Sequence, residues 1–258
     1  MLLRINHLGF SYSSKPHILK DLSLSMDKGC FMGVLGPNGT GKSTFLKCIN
    51  KIYSSTEGSI FIDDTDIKVM KLREIARKIA YVPQYTVAQF PTTVMNLVMM
   101  GRIPYSGYSF TKEDQELTEQ ALDEMGIYSY AMKDIRHLSG GERQRAFIAR
   151  ALVGKPKLIL MDEPTSSLDI YHQLEVLSLV RNLVRKTEIS VIMVIHDLNM
   201  AAMFCNRIVL LKNGYIWKDG LPKDTLTAEN IEDIYKVKSF VIDKGNSRFI
   251  QFKDPESV

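Results

Sequence analysis

Long hydrophobic runs are missing from this chain of 258 residues. A membrane-spanning helix needs roughly 20 consecutive apolar residues. The richest stretches here, Leu158–Met161 and Val191–Ile195, are strand-sized. The opening Met1-Leu-Leu-Arg-Ile-Asn-His lacks the apolar region of a signal peptide. The expectation is a cytosolic chain that reaches any membrane through a partner. Cysteine is also scarce. The three at positions 30, 48 and 205 have no metal-ligand spacing and cannot all pair, so they read as free thiols in a reducing compartment. Charge of one sign is not in excess: 33 basic against 29 acidic residues leave +4, too mild to imply nucleic acid. There is no internal repeat and no low-complexity tract. What is present is ordinary globular material, 45% hydrophobic and 24% charged, sufficient for a buried core.

The opening alternates apolar and polar residues (Leu3, Ile5, then Leu8, Phe10, Tyr12), which reads as an edge or antiparallel strand with one wet face. Leu22–Met26 reads as a second such strand. Cys30–Leu35 is nearly all apolar and suits a parallel strand buried on both faces. A glycine-rich loop and a helical stretch from Lys42 to Ile52 follow. From about Tyr85 to Gly154 the pattern turns helical. Thr93–Met100 is a short helix stopped by Gly101, and Lys112–Met125 a longer one, with Thr111 as N-cap and Gly126 as stop. Strands resume at Leu158–Met161, Val191–Ile195 and Arg207–Lys212, with a helix over His172–Lys186 between the first two. Such alternation implies a parallel sheet with crossover helices. Asn213-Gly214 marks a hairpin. The tail after Pro222 holds a short helix (Ala228–Lys236) and one hairpin.

Chemistry concentrates at three points. Gly36-Pro-Asn-Gly-Thr-Gly-Lys42-Ser43 fits G-x-x-x-x-G-K-[ST] between a buried strand and a helix. Its glycines let backbone N–H groups turn inward onto phosphate oxygens, Lys42 adds a point charge, and Ser43 offers a hydroxyl to Mg²⁺. Leu158–Met161 runs into Asp162-Glu163, at the strand end where ligands of open α/β sheets bind. A lone acid pair there would simply meet solvent. Beside a phosphate loop, Asp162 can hold Mg²⁺ and Glu163 can orient and deprotonate an attacking water. Val191–Ile195 likewise ends in His196-Asp197, where a histidine can bond the γ-phosphate or that water.

Leu138-Ser-Gly-Gly-Glu142, followed by Arg143-Gln-Arg145, resembles the signature motif of ABC-type ATPases. The motif order agrees. Tyr12 falls where the family's adenine-stacking aromatic lies, and Gln84 in Tyr81-Val-Pro-Gln84 matches its Q-loop. Asp162–Asp169 matches the acidic strand end and D-loop, and His196 the switch histidine. The resemblance spans residues 1–220. It implies a P-loop NTPase (RecA-like) α/β core with an N-terminal antiparallel β subdomain and an inserted α-helical subdomain. The single cassette would divide into a core of 1–84 and 155–220, a helical signature unit of 85–154, and a short extension of 221–258. It implies ATP and Mg²⁺ as ligands, bound between two head-to-tail copies. Tyr12, Gly36, Pro37, Asn38, Gly39, Thr40, Gly41, Lys42, Ser43 and Thr44 would hold ATP, with Ser139, Gly140, Gly141, Glu142 and Asp169 completing the set. Ser43, Gln84 and Asp162 would hold the metal, and Glu163, His196, Gln84 and Lys42 would carry catalysis.

A finer resemblance lies in Val98-Met-Met-Gly-Arg-Ile-Pro-Tyr105, which is similar to the V-x-x-G-R-x-P-[YH] segment of importers for iron chelates, haem and cobalamin. Leu168–Gln173 and Ile195–Asn199 resemble that subfamily too. It implies a peripheral protein on the cytoplasmic face of the cell membrane. Its partners would be two permease subunits and an outside binding protein, with no nucleic acid. Val87–Pro91 reads either as the permease contact or as a small satellite core. The cargo would be an iron chelate, haem, cobalamin or an oxyanion such as molybdate. A soluble ATPase acting on DNA or ribosomes is the alternative. Against it, no long heptad run separates Ser43 from Leu138, and there is one cassette rather than two. The basic cluster Lys68, Lys71, Arg73, Arg77 reads as a solvated helix face.

Overall fold

The computed structural model describes residues 1–13, 17–84, 91–107, 109–245 and 247–254. Val87 and Phe90, read from sequence as a contact surface, lie outside them. The chain begins with β1 (Leu3–Phe10), β2 (Leu19–Met26), β3 (Phe31–Leu35), α1 (Lys42–Ile49), β4 (Glu57–Ile62), β5 (Thr65–Asp66), α2 (Leu72–Lys78) and β6 (Ile79–Val82). Helices α3 (Val94–Met99), α4 (Lys112–Glu124) and α5 (Gly140–Leu152) follow. Next come β7 (Leu158–Asp162), α6 (Ile170–Lys186), β8 (Ser190–Val194), α7 (Leu198–Phe204), β9 (Arg207–Lys212) and β10 (Tyr215–Gly220). The tail is α8 (Pro222–Thr225), α9 (Ala228–Tyr235), β11 (Ser239–Lys244) and β12 (Ser247–Phe252).

Two sheets and a hairpin result. One sheet is antiparallel with order β2-β1-β4-β5, and the other has order β10-β9-β3-β8-β7-β6. Strand β1 is therefore antiparallel, as its alternation implied, but interior rather than an edge. In the larger sheet β9, β3, β8, β7 and β6 are parallel, and only β10 runs against them. Its all-apolar strands are buried on both faces, and successive residues feed opposite cores. Phe31, Leu35, Val191 and Met193 face a cluster shared with α5, α6 and α7. Met32, Val34, Ile192 and Val194 face one shared with α1 and the antiparallel sheet. This is why period-2 polarity is absent from exactly those runs whose two faces both meet helices or a second sheet.

Helix ends follow the capping residues. Thr93 and Thr111 each accept a backbone N–H from the third residue of their helix; Thr111 is the cap its position implied, whereas Thr93 lies just outside the helix it was expected to begin. Helix α6 begins two residues before the His172 expected from periodicity, because Asp169 caps it. Helix α1 stops at Ile49 instead of Ile52. Lys51 takes a left-handed φ of 53°, and its ammonium donates to the Ile67, Lys68 and Met70 carbonyls. Asn213-Gly214 turns β9 into β10 with both residues at positive φ, as the dipeptide implied.

The Gly101–Tyr105 segment is a strut. A Cβ on Gly101 would stand 2.1 Å from the Arg150 carbonyl oxygen, so only glycine lets this turn lie against α5. Arg102 donates to Asp114 at 2.7 Å and lies over the Tyr105 ring. Tyr105 donates to the Gly154 carbonyl at 2.6 Å. The Pro104 carbonyl accepts from Arg73 and Arg77 of α2. Two members of the expected solvated basic cluster are thus bound to this turn. The Arg102–Asp114 pair is nearly buried, with side chains 10% and 5% exposed. The Thr111 backbone N–H, then Arg102, hold the Asp114 carboxyl below its ordinary value. Its stabilising contribution is present above the ordinary carboxylate pKa and is lost as pH falls through the lowered one. Asp114→Ala is expected to cost about 3–5 kcal/mol at pH 7, because it strands a buried guanidinium. Urea unfolding at pH 7 and pH 3 checks it: the gap from wild type narrows on the acid side.

Candidate nucleotide and hydrolysis site

The loop between β3 and α1 is shaped by its glycines. Gly36, Gly39 and Gly41 have φ of 148°, 80° and 95°. A Cβ on Gly36 would meet the Leu211 carbonyl oxygen at 2.3 Å, so the loop folds where no side chain fits. Lys42 is buried, and its Nζ donates to the Gly36 and Pro37 carbonyls at 2.8 and 2.9 Å. Burial lowers the Lys42 pKa, against the opposing pull of Glu163 and Asp162. Thr40 donates to the Pro37 carbonyl at 2.9 Å and tightens the same loop. The first N–H groups of α1 open onto this loop, where anions are favoured.

Asp162 and Glu163 are neighbours in sequence with different surroundings. Asp162 ends β7, is 3% exposed, and accepts from Ser43 Oγ at 2.8 Å and from Tyr81 OH at 3.1 Å. Burial, then the Asp162 charge, push the Tyr81 phenol up. Glu163 takes a left-handed φ of 47°, which turns its side chain away from that pair. Its Oε2 accepts from Gln84 Nε2 at 2.7 Å, and its Oε1 lies 2.6 Å from His196 Nε2. A cavity of about 330 Å³ opens here, lined by Glu163, Thr165, Ser166, Gln173, His196, Asp197 and Met200 among others. So Lys42, Ser43 and Asp162 form one cluster, and Gln84, Glu163 and His196 a second beside it. The Gln84 amide is directed at Glu163, not at Ser43 or Asp162.

Tyr12 sits beside the loop as expected. Its hydroxyl shares a hydrogen bond with Thr44 at 3.3 Å, and its ring packs edge-on against Phe10 and Tyr53. The signature residues lie elsewhere. Ser139 caps α5, accepting from Glu142 N at 3.3 Å, while Glu142 accepts from Ser139 N at 2.8 Å. That backbone N–H holds the Glu142 carboxyl below its ordinary value. Asp169 accepts from His172 N at 2.9 Å and contacts its Nδ1. Within the subunit, the Glu142 and Asp169 carboxylates therefore serve helix starts. Gly140 and Gly141 pack on Leu168 and His172. No hydrogen bond among the described residues joins Ser139–Glu142 to the loop at Gly36–Thr44. Sequence reasoning missed Tyr81, Tyr53 and Phe10. The usable signal for Tyr81 was its place three residues before Gln84 on the strand beside β7.

The family model for "ABC transporter" matches residues 19–166, more than half the chain. The chain belongs to the ABC transporter family. It is an ATP-binding, ATP-hydrolysing member, and no helix among the described residues is long and apolar enough to cross a membrane. The iron(3+)-hydroxamate import ATP-binding protein FhuC of Bacillus subtilis is 38% identical over 242 residues, covering 93% of this chain and 90% of that protein. A solved metal-chelate type ABC transporter in an inward-facing conformation is 31% identical with a TM-score of 0.85, covering 98% of this chain and 96% of that one. A dimeric ATP-binding cassette bound to ADP and Pi is 28% identical with a TM-score of 0.75, covering 86% of this chain and 99% of the cassette. These neighbours agree with the α/β core carrying an antiparallel sheet and a helical insert.

Proposed function

We propose that this ABC ATPase powers the import of an iron chelate, haem, cobalamin or similar metal-related cargo, from the cytoplasmic face of the cell membrane. The observation that carries the chemistry is Glu163 held between Gln84 and His196, one residue beyond the Asp162 that faces Ser43. The likeness to a hydroxamate import protein and to a metal-chelate transporter supports the cargo class.

In this reading the loop Gly36–Thr44 cradles the ATP phosphates, Lys42 neutralises them, and Tyr12 stacks on the base. Ser43 Oγ and Asp162 Oδ1 are hard oxygen donors 2.8 Å apart beside the loop, the kind of partial donor set that Mg²⁺ takes when phosphate oxygens and water complete its shell. When bound, Mg²⁺ supplies charge neutralisation of the phosphates. Glu163 accepts the proton of the attacking water. Gln84 and His196 orient the Glu163 carboxylate. Residues 85–154 form the helical signature unit, a division supported by the mutual packing of α3, α4 and α5. Two copies sandwich two ATPs, each resting on one copy's loop and the other's Ser139–Gly141. Two permease subunits and an outside binding protein complete the system.

Ser139→Arg tests the composite site. Mixed in equal amounts with wild type, it is expected to cut wild-type hydrolysis roughly in half through random pairing. Unchanged wild-type turnover in the mixture contradicts the shared site. Affinity capture from mildly solubilised membranes tests the transporter assignment. A polytopic membrane protein in near-equal amount supports it, whereas ribosomal or DNA-associated proteins in its place overturn it.

A further inference from the structure

We infer that Asn199 is a positioning residue for hydrolysis: by clamping the main chain of Ile250 in β12 it fixes the first turn of α7, and with it His196. This rests on the proposal that His196 and Glu163 act together at the reacting phosphate.

The observations form one connected path. Asn199 Oδ1 accepts from Ile250 N at 2.7 Å, and Asn199 Nδ2 donates to the Ile250 carbonyl at 3.2 Å. The side-chain amide thus satisfies both polar groups of one buried strand residue, as a neighbouring strand would. Asn199 is the second residue of α7, and the third after His196. Asp197, between them, accepts from Asn199 N and Met200 N at 2.8 and 2.9 Å. His196 reaches Glu163 at 2.6 Å. Met200, next to Asn199, lines the cavity that contains Glu163 and His196. One side of the same helical turn therefore faces the reaction cavity, and the other is tied to the C-terminal hairpin. The element α7 packs against most extensively is β12. The Glu163 cluster depends on short contacts, and a displacement of about 1 Å in such a cluster costs up to about 10²-fold in rate. The hairpin also follows α9, whose buried Tyr235 hydroxyl faces the Gly36 backbone of the phosphate loop. The tail thus meets the site from two sides.

The test uses the full-length chain and three variants: Asn199→Ala, Asn199→Asp and His196→Ala. Asn199→Asp keeps the acceptor for Ile250 N–H and loses the donor. Expected for Asn199→Ala is a kcat about 10-fold lower, an ATP Kd within about twofold of wild type, and a Tm close to wild type. Asn199→Asp is expected to recover part of the lost kcat. Normal kcat in Asn199→Ala, alongside an inactive His196→Ala, overturns the inference while the hydrolysis reading stands. A lower Tm with unchanged kcat per folded protein also overturns it, since a merely structural strap does that. Normal kcat in His196→Ala overturns the hydrolysis reading and the inference with it.

Discussion

Glu163→Gln is expected to bind ATP with near-normal affinity and to hydrolyse it at least ~100-fold more slowly, the lower range for losing general-base assistance. The substitution preserves length and shape, so the left-handed turn after Asp162 and the Asp162–Ser43 contact stay in place. What it removes is the ability to take a proton. It also changes the neighbours' bonding: Gln84 Nε2 now donates to one amide atom only when that amide is turned correctly, and His196 loses its carboxylate partner. Equilibrium binding of a fluorescent ATP analogue and single-turnover phosphate release separate the two steps. Turnover near wild type removes Glu163 from the role of base. Weak binding with normal turnover per bound nucleotide would instead place Glu163 in recognition.

Lys42→Ala is expected to weaken ATP binding by roughly 10- to 100-fold, the range for losing a hydrogen bond to a charged group. The argument starts from burial. A lysine in this pocket is disfavoured as a cation, and its pKa is lowered accordingly. Affinity is therefore expected to fall as pH rises toward that lowered value, earlier than a free lysine near 10.4 would allow. Lys42 also ties the Gly36 and Pro37 carbonyls together, so the variant's thermal unfolding is measured in parallel. Unchanged ATP affinity contradicts the phosphate-loop assignment. Lost affinity with an unchanged Tm assigns the effect to the missing charge rather than to a slackened loop.

The parts of this site that could be read from sequence are those whose chemistry is local. A phosphate cradle needs glycines, a lysine and a hydroxyl within eight residues, and an apolar run ending in Asp-Glu needs only its own strand. The rest depends on distant partners. Tyr81 reaches Asp162 across 81 positions, and Gln84 reaches Glu163 across 79. No periodicity announces such pairs. The strands within residues 57–82 escaped as elements because Asp63 and Asp64 break their pattern at positive φ, whereas the basic helix face read over Lys68–Arg77 falls in part on α2, which buries only Ile75. Helix α7 has seven residues, too few for a period to register. The Gly101–Tyr105 segment could be read as a family marker, but its strut geometry depends on α2, α4 and α5 arriving around it. Glu142 and Asp169 were expected at the nucleotide. Inside one subunit they cap helices, which a residue type favoured for both roles cannot distinguish.

Gly141 carries a constraint that reaches beyond its own motif. A Cβ there would stand 2.5 Å from His172 Cδ2. The imidazole is not free to swing aside, because Asp169 holds its Nδ1 at 2.8 Å. The two stretches, some thirty positions apart, consequently share one inheritance. While the ring stays at 172, position 141 is closed to every side chain. A lineage could open it only by first shrinking residue 172 and giving up the ring contact to Asp169, a detour that leaves the backbone cap in place but brings no gain until the signature itself changes.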